Sequence, residues 1–231
     1  MATEKIRIVT ATRVSPEAFL SSTALGQSIS LIKPLYPYLE VRLFANNTRG
    51  LPAVYNTAIG EASRDPAVLV FVHDDVYFCD FYWPTRVLSG LSTFDVIGIA
   101  GNLRRLPMQS SWSTIDAEGT VDERDQLSGV LAHGAEYPPR HLWAFGPTCQ
   151  PVKLLDGLFL AARSKLLLAR GVQFDERFDF HFYDMDFCRQ AETRDVRLGT
   201  WAISLIHMSI GGGGSPEWRK AYSTYLDKWG S

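Results

Sequence analysis

The chain has 231 residues, 46% of them hydrophobic and 21% charged, which is ordinary for a globular protein with a sizeable core. Its net charge of −2 lacks the basic excess of nucleic-acid-binding proteins, and its three widely spaced cysteines make a poor disulfide framework. The N-terminus lacks the apolar stretch of a signal peptide, and no apolar run approaches the ~20 residues of a membrane span. The sequence therefore predicts a cytoplasmic protein without a signal peptide or a transmembrane segment, and its charge predicts no nucleic-acid partner.

The first hundred residues alternate between strand and helix patterns. Short runs of apolar and β-branched residues predict strands at 5–10, 41–44, 68–72 and 95–100. Ser15 and Pro16 begin a predicted helix that ends at Pro34, and Leu51 opens another that ends before Pro66. The third strand run is apolar throughout, which is typical of a strand buried on both faces of a parallel sheet. The alternation predicts an α/β fold with a mainly parallel sheet flanked by helices.

The second half opens with an irregular segment and then returns to regular patterns. Residues 102–151 are rich in Gly, Pro and Ser without clear periodicity, so we expect long loops with short strands, a kind of segment that is often functional. The elements predicted after it are a strand at 153–162, a helix at 164–170 that Gly171 ends, a helix at 184–194, a strand at 196–206 and a C-terminal helix from Ser215 to about Trp229. The glycines at 211–214 predict a flexible joint before the last helix.

Two adjacent acids, Asp74 and Asp75, follow the buried strand in the segment FVHDDVYF. In open α/β sheets, ligands bind outside the carboxyl ends of the strands, and hard divalent cations prefer carboxylate oxygens. The pair is therefore a candidate metal or phosphate site, and solvation or capping of a turn at the strand end is the alternative.

A second acidic cluster and a late histidine add to this pattern. Asp184 and Asp186 lie in FDFHFYDMDFC, at the start of a predicted helix and among aromatic residues that would raise the pKa of a carboxylate towards the range of a general base. The alternative is complementation of the helix dipole, worth ~0.3–1 kcal/mol. His207 ends the last predicted strand, where a lone histidine is more often structural than a metal ligand.

Together these segments resemble the GT-A glycosyltransferases of family 2. FVHDDV is similar to their DXD-type motif, with His73, Asp74 and Asp75 in the three motif places. LLDGLFLAARSKLL followed by FDERFDFHFYDMDFCRQAE is similar to the segment that leads into their catalytic "ED" motif, and is especially close to a small bacterial branch related to the streptomycin-biosynthesis-type glycosyltransferase domain. Asn46 with the stretch to Asn56, and the late His207, match further parts of the pattern, which extends over about residues 6–212.

The resemblance implies a single GT-A (Rossmann-like) domain over residues 1–231. Its nucleotide-sugar half would be about 1–101, its loop-rich acceptor and catalytic half about 102–214, and its C-terminal helix 215–231. The implied reaction moves a sugar from a nucleoside-diphosphate sugar to an acceptor hydroxyl with inversion, and Mn²⁺ or Mg²⁺ is the implied cofactor. The sequence leaves open UDP, GDP or dTDP as the donor nucleotide, and a glycan, lipid-linked or small-molecule acceptor, a protein acceptor and a homodimer as partners.

The resemblance also assigns roles to residues. Asp75 and His207 would bind the metal, Asp184 would act as the base, and Asp186 would help it or contact the acceptor. The nucleotide sugar would be bound by Thr10, Ala11, Thr12, Arg13, Asn46, Asn56, Asp74, Asp156 and Gly157. For Asp156, a turn between core strands is the alternative.

The chain departs from the family pattern at two places. His73 occupies the first DXD place, which argues against a direct metal role for that residue. Tyr183 occupies the place usually held by glutamate in the "ED" pair, which makes Asp184 the expected base.

Several tryptophans and arginines have two interpretations. Trp112, Trp143 and Trp218 are candidate platforms for sugar stacking, but a single tryptophan is more often a core or loop anchor. Arg104 and Arg105 are candidate phosphate contacts, although such a pair after a strand is usually a solvated edge.

Three other functions remain to be weighed. A sugar nucleotidyltransferase would normally carry a glycine-rich loop after the first strand, and residues 10–15 contain no glycine. A metal-dependent hydrolase would be expected to carry HExxH or paired histidines, which the sequence lacks. A catalytically inactive nucleotide-sugar-binding domain is the remaining alternative, because of His73 and Tyr183.

Overall fold

The computed structural model describes residues 4–136, 138–209 and 213–230, which form two β-sheets flanked by helices. The strands are β1 Ile6–Ala11, β2 Leu39–Phe44, β3 Val68–Val72, β4 Val76–Phe78, β5 Val96–Gly98, β6 Ala100–Asn102, β7 Leu127–His133, β8 His141–Gly146, β9 Pro151–Val152, β10 Leu154–Leu155, β11 Phe159–Arg163, β12 Leu198–Thr200 and β13 Leu205–His207. The helices are α1 Pro16–Ser22, α2 Ala24–Ile32, α3 Leu51–Glu61, α4 Trp83–Thr93, α5 Ser164–Arg170, α6 Tyr183–Glu192 and α7 Pro216–Trp229, with a 3-10 turn at Lys33–Leu35. The predicted α/β fold class is confirmed.

The larger sheet has seven strands in the order β2-β1-β3-β11-β5-β12-β9. β2, β1 and β3 run parallel, as predicted, with Ile6 opposite Leu39. β11 runs antiparallel between β3 and β5, so the sheet is mixed, with β2, β1, β3, β5 and β12 in one direction and β11 and β9 in the other. The reason is that the chain enters β11 at the edge where β3 ends, and the N–H of His73 donates to the carbonyl of Leu158 at 3.2 Å. The turn that leads into β11 therefore lies beside the carboxyl end of β3.

The second sheet follows the order β10-β6-β7-β13-β4, and β8 pairs with β7. β13 lies antiparallel to β4, with His207 opposite Val76. The whole connection from β3 in the larger sheet to β4 in the second is the short segment from His73 to Asp75. This segment therefore lies where the two sheets meet.

Two hydrophobic layers cover the faces of the larger sheet. The pleat of β3 directs Leu69 and Phe71 into the layer that contains α3, α5 and α6, and it directs Val68, Val70 and Val72 into the layer that contains α1, α2 and α4. All five side chains are fully buried. Burial on both faces explains why this strand shows no alternation of apolar and polar residues.

The helix predicted from Ser15 to Pro34 is divided in two. Thr23 causes the division, because its hydroxyl accepts from the N–H of Gly26 at 3.0 Å and donates to the carbonyl of Phe19 at 2.8 Å. The side chain thus caps the start of α2 and also bonds to the last turn of α1.

The structure also divides three predicted strands, and each division takes the chain from one sheet to the other. The divided segments are 95–100 into β5 and β6, 153–162 into β10 and β11, and 196–206 into β12 and β13. An apolar run predicts burial, but it does not say to which sheet each half belongs.

The predicted helix ends are confirmed where local chemistry sets them. Gly171, with φ +64°, ends α5, and the hydroxyl of Ser215 accepts from the N–H of Trp218 at 3.0 Å to begin α7. Residues 211 and 212 of the predicted joint lie outside the described residues, and Gly214 has a φ of +82°. Among the helices of the described residues, none combines the length and the apolar content that crossing a membrane requires.

Candidate metal and catalytic site

Three segments meet at the edge where β3 and β13 end and β11 begins. His73 to Asp75 connect the two sheets, Asp156 lies in the turn before β11, and His207 is the last residue of β13. The N–H of Met208 donates to the carbonyl of Asp75 at 2.9 Å, which fixes β13 against the connection. The topology therefore brings residues from distant parts of the sequence to one place.

Two histidines and an aspartate form a candidate metal site. One ring nitrogen of His73, one of His207 and a carboxylate oxygen of Asp75 all lie within 4.8 Å of one another. Nε2 of His207 lies 3.4 Å from Oδ2 of Asp75. Two ligand atoms that each lie about 2.0–2.2 Å from one ion are about 3–4.4 Å apart, a range that includes the 3.4 Å between His207 and Asp75, so the three groups could hold one divalent cation.

The remaining oxygen of Asp75 supports this fit. Its Oδ1 is buried and has no hydrogen-bond partner among the described residues. An unpaired buried carboxylate oxygen is costly, and a cation would satisfy it. The donor set of this structure therefore fits a divalent ion.

Electrostatics keep the aspartate of the cluster ionised. Burial alone would raise the pKa of Asp75, but the hydrogen bond and the charge of His207 lower it to about 2. Burial would in turn lower the pKa of His207, and the Asp75 carboxylate raises it. Burial lowers the pKa of His73, and its neutral ring keeps a lone pair that can bind a metal.

Asp184 lies in the first turn of α6 and has the properties of a general base. Its Oδ2 accepts from the N–H of Gly157 at 3.0 Å, and its Oδ1 accepts from the N–H of Met185 at 2.9 Å. Burial, and then the negative charge of Asp156, raise the pKa of Asp184 to about 7. A carboxyl group with this pKa can accept a proton near neutral pH.

The turn before β11 holds the Asp184 side chain in place. Asp156 accepts from the indole N–H of Trp112 at 2.9 Å and from the N–H of Leu158 at 2.9 Å. A Cβ on Gly157 would lie 2.5 Å from Oη of Tyr183 and 2.8 Å from Cβ of Asp184. Only glycine permits this close approach of the turn to α6.

A cleft of about 1210 Å³ borders both the histidines of the cluster and Asp184. Trp143 is 56% exposed on its wall, whereas Trp112 is 9% exposed and is anchored to Asp156. Trp218 stacks on Tyr222 at 5.3 Å between ring centroids. The cleft is large enough for a sugar acceptor, and Trp143 presents the most accessible indole among the three candidate platforms.

The predicted nucleotide loop lies at the same edge of the larger sheet, outside the lining of this cleft. The N–H of Thr12 donates to Phe44 and that of Asn47 donates to Thr12, which joins the loops after β1 and β2. Asn46 adopts a φ of +49° and donates to the carbonyl of Val14. The structure thus brings Thr10, Ala11, Thr12 and Arg13 close to Asn46, as expected. Asp74 comes directly after β3, which is the neighbour of β1 in the sheet.

The structure does not bring Asp186 to the cleft. Its side chain is completely buried on the other side of α6, where it accepts from the indole N–H of Trp229 at 2.7 Å and from Gln190 at 2.6 Å, and pairs with Lys228 at 2.6 Å. The expectation that Asp186 assists catalysis is corrected, because these contacts fasten α7 to α6.

The side-chain amide of Asn56 is hydrogen-bonded to a distant segment of the chain. Its amide donates to the carbonyl of Phe174 at 2.8 Å and accepts from the N–H of the same residue at 2.9 Å. This double hydrogen bond fastens α3 to the segment after α5, which gives Asn56 a structural role, and its role in binding the donor stays a prediction.

The two arginines considered for phosphate binding are engaged elsewhere. Arg104 pairs with Asp122 at 2.5 Å, and Arg105 pairs with Glu192. Both guanidinium groups are thus held by carboxylates of this chain, which argues against the phosphate role considered for them.

Sequence reasoning discounted His73 and did not single out His133. The ring centroid of His133 lies 5.4 Å from that of His207, because β7 and β13 pair with these residues opposite each other. The proximity of His73 to two acids was a usable signal. His133 gave none, because it lies in the segment without periodicity.

Comparisons with known proteins identify a family and a fold. A sequence model described as a glycosyltransferase like family matches residues 39–207. The solved structure of A197 from STIV is similar with a TM-score of 0.53 at 12% identity, covering 89% of this chain and 86% of that chain. GalNAc-T7 with UDP, GalNAc and Mn²⁺ is similar with a TM-score of 0.54 at 12% identity, covering 99% of this chain, which thus spans 48% of that one. No curated protein matches at a significant level.

Proposed function

Because the chain belongs to the glycosyltransferase like family and has a GT-A fold, we propose that it moves a sugar from a nucleoside-diphosphate sugar to an acceptor hydroxyl in a metal-dependent, inverting reaction. One observation carries the proposal: both histidines of the candidate metal cluster and a carboxylate with a pKa of about 7 border the same cleft. A donor site needs the metal ligands, and an acceptor site needs the carboxylate.

The donor would lie over the carboxyl ends of β1, β2 and β3. Asp75 and His207 would hold Mn²⁺ or Mg²⁺, and Asp74 would contact the ribose or the ion's water shell. The loop from Thr10 to Arg13, with Asn46, would contact the nucleotide. When bound, the ion would neutralise the charge that develops on the departing diphosphate.

Asp184 would act on the acceptor. Its raised pKa makes it a base at neutral pH, and the N–H of Gly157 keeps one carboxylate oxygen oriented. The acceptor hydroxyl passes its proton to Asp184 as its oxygen bonds to the anomeric carbon. The bond from that carbon to the diphosphate oxygen breaks, and the nucleoside diphosphate leaves with that electron pair. A single displacement of this kind inverts the anomeric carbon.

Two observations favour an active enzyme over an inactive binding domain. Asp184 lines the cleft instead of being displaced from it, and Asp75 lies next to His207 instead of being isolated. A nucleotidyltransferase is less well supported, because the loop after β1 lacks the glycines that would cradle a triphosphate.

The first experiment is calorimetric titration of UDP, GDP and dTDP into the purified chain, with Mn²⁺ and again with EDTA. We expect one nucleotide to bind only with the metal, and Asp75→Asn to weaken that binding by more than about tenfold. Asp184→Asn should bind the nucleotide normally but lose turnover of the matching sugar donor. Asp227→Asn, which removes the same charge from an exposed position on α7, is the control. Failure of all three nucleotides to bind would contradict the proposal.

A further inference from the structure

The two positions at which the chain departs from its family's motifs contact each other. His73 stands at the first place of the DXD-type motif, and Tyr183 stands where glutamate is usual. Nε2 of His73 lies 2.8 Å from Oη of Tyr183, although the residues are 110 positions apart in the chain. The two departures therefore form one hydrogen-bonded unit.

The next hydrogen bond determines the direction of this one. Oη of Tyr183 lies 2.7 Å from the carbonyl oxygen of Gly157. A carbonyl oxygen only accepts, and a tyrosine has one hydroxyl proton, so Tyr183 donates to Gly157 and accepts from His73. Nε2 of His73 therefore carries the ring proton, and Nδ1 is the nitrogen with a free lone pair.

We infer that His73 is a third protein ligand of the ion held by Asp75 and His207, that it binds through Nδ1, and that Tyr183 is the positioning residue that fixes its tautomer. A ring nitrogen of His73 already lies within 4.8 Å of the ligand atoms of the other two residues. Metal-binding histidines commonly donate their other ring N–H to an oxygen outside the site. The chain from His73 through Tyr183 to Gly157 has this arrangement.

The ligand set also predicts a metal preference. Both ions suit carboxylate and water ligands, but Mg²⁺ demands oxygen ligands in near-ideal octahedral geometry, whereas Mn²⁺ belongs to the first-row series that also binds mixed nitrogen and oxygen sites. Two imidazoles and one carboxylate should therefore favour Mn²⁺ over Mg²⁺. This inference rests on the proposed function only for the location of the ion, since it concerns the ligands and not the transfer reaction.

Binding of Mn²⁺ alone, without nucleotide, tests the inference. Free Mn²⁺ is measured by electron paramagnetic resonance during titration of the purified chain. We expect Tyr183→Phe, which keeps the ring but removes the hydroxyl, to weaken Mn²⁺ binding by about 10–100-fold, and His73→Asn to weaken it at least as much. His141→Asn, an exposed histidine on β8, is the matched control and should bind like the unaltered chain.

Two further measurements keep the test independent of a folding defect. Pulsed electron paramagnetic resonance of the unaltered chain with Mn²⁺ should detect two coordinated imidazole nitrogens. His73→Asp, which supplies an oxygen ligand at the same place, should bind Mg²⁺ more tightly relative to Mn²⁺ than the unaltered chain does.

The outcomes separate this inference from the proposed function. A single coordinated nitrogen, or equal Mn²⁺ affinity in His73→Asn and the unaltered chain, would overturn the role of His73 while leaving metal-dependent nucleotide binding intact. Two coordinated nitrogens in a chain that binds no nucleotide would support the metal site and contradict the proposed transfer reaction.

Discussion

Asp184 receives opposing influences from its neighbours. Two backbone N–H groups donate to its carboxylate and favour the ionised form, whereas burial and the nearby Asp156 favour the protonated form. The second pair of influences prevails, and the pKa of Asp184 rises to about 7. The same neighbour, Asp156, is held by Trp112 and by the start of β11, so its charge is fixed in position.

Replacement of Asp156 by asparagine should lower the pKa of Asp184. The substitution removes a negative charge but keeps an oxygen that can accept from Trp112 or Leu158. Without that charge, Asp184 ionises at a lower pH. The acidic limb of the pH–rate profile therefore also moves to lower pH. Nuclear magnetic resonance of the ¹³C-labelled Asp184 carboxyl group measures the pKa without requiring turnover.

Asp125→Asn is the control for this prediction, because Asp125 is an exposed acid outside the cleft lining. It should leave the Asp184 titration unchanged. An unchanged pKa of Asp184 in Asp156→Asn would show that burial alone raises it.

Helix α6 separates the two acids that sequence reasoning grouped together. Residues two apart on a helix are rotated by about 200°, so Asp184 and Asp186 face nearly opposite directions. Asp184 faces the cleft, and Asp186 faces Lys228 and Trp229 near the end of α7. One helical turn thus supplies a candidate base and an attachment point for the C-terminal helix.

Asp186→Ala should destabilise the fold without affecting the donor site. Removal of one partner of a buried ion pair costs about 3–5 kcal/mol, and Lys228 retains Asp175 as a partner, so we expect the lower end of that range. Urea unfolding measures the loss. Nucleotide affinity, measured where the variant is still folded, should stay unchanged.

The control is Asp227→Ala, an exposed substitution on α7, which should cost less than about 0.5 kcal/mol. A loss of donor turnover in Asp186→Ala without a loss of stability would instead support a catalytic role for Asp186.

Local chemistry made several elements predictable from sequence. Ser15 and Ser215 cap helices, Gly171 ends one, and the apolar run of β3 matched its predicted bounds of 68–72. The juxtaposition of Asp75 and His207 was expected, from the resemblance, and the structure places them together. The roles assigned to these residues stay predictions.

Other parts of the site depend on tertiary pairing that no local pattern contains. Nε2 of His73 is hydrogen-bonded to Tyr183, which lies far along the chain. His133 reaches His207 only because β7 and β13 pair across the second sheet. Asn56 looked like a donor contact, but its partner Phe174 belongs to a distant segment. Spacing along the sequence predicted none of these contacts.

At the scale of the whole molecule, the candidate metal site lies where the two sheets meet. His73 follows β3 of the larger sheet, whereas Asp75 precedes β4 and His207 ends β13, both of the second sheet. A bound ion would therefore join the two sheets as well as bind the donor. Its binding free energy would be available to the folded chain only, because His207 lies far from His73 and Asp75 in the sequence.

Mn²⁺ should therefore raise the melting temperature of the protein. At a concentration about 100 times its dissociation constant, an ion that binds only the folded state adds about 2.7 kcal/mol, which in a domain of this size corresponds to roughly 5–10 °C. Scanning calorimetry with Mn²⁺ and with EDTA measures the shift. Asp75→Asn should abolish the shift, because it removes the charged ligand at the place where the two sheets meet. An equal shift in Asp75→Asn would place the stabilising ion elsewhere on the chain, and the two sheets would then be held together by their hydrophobic layers and strand pairing without help from the site.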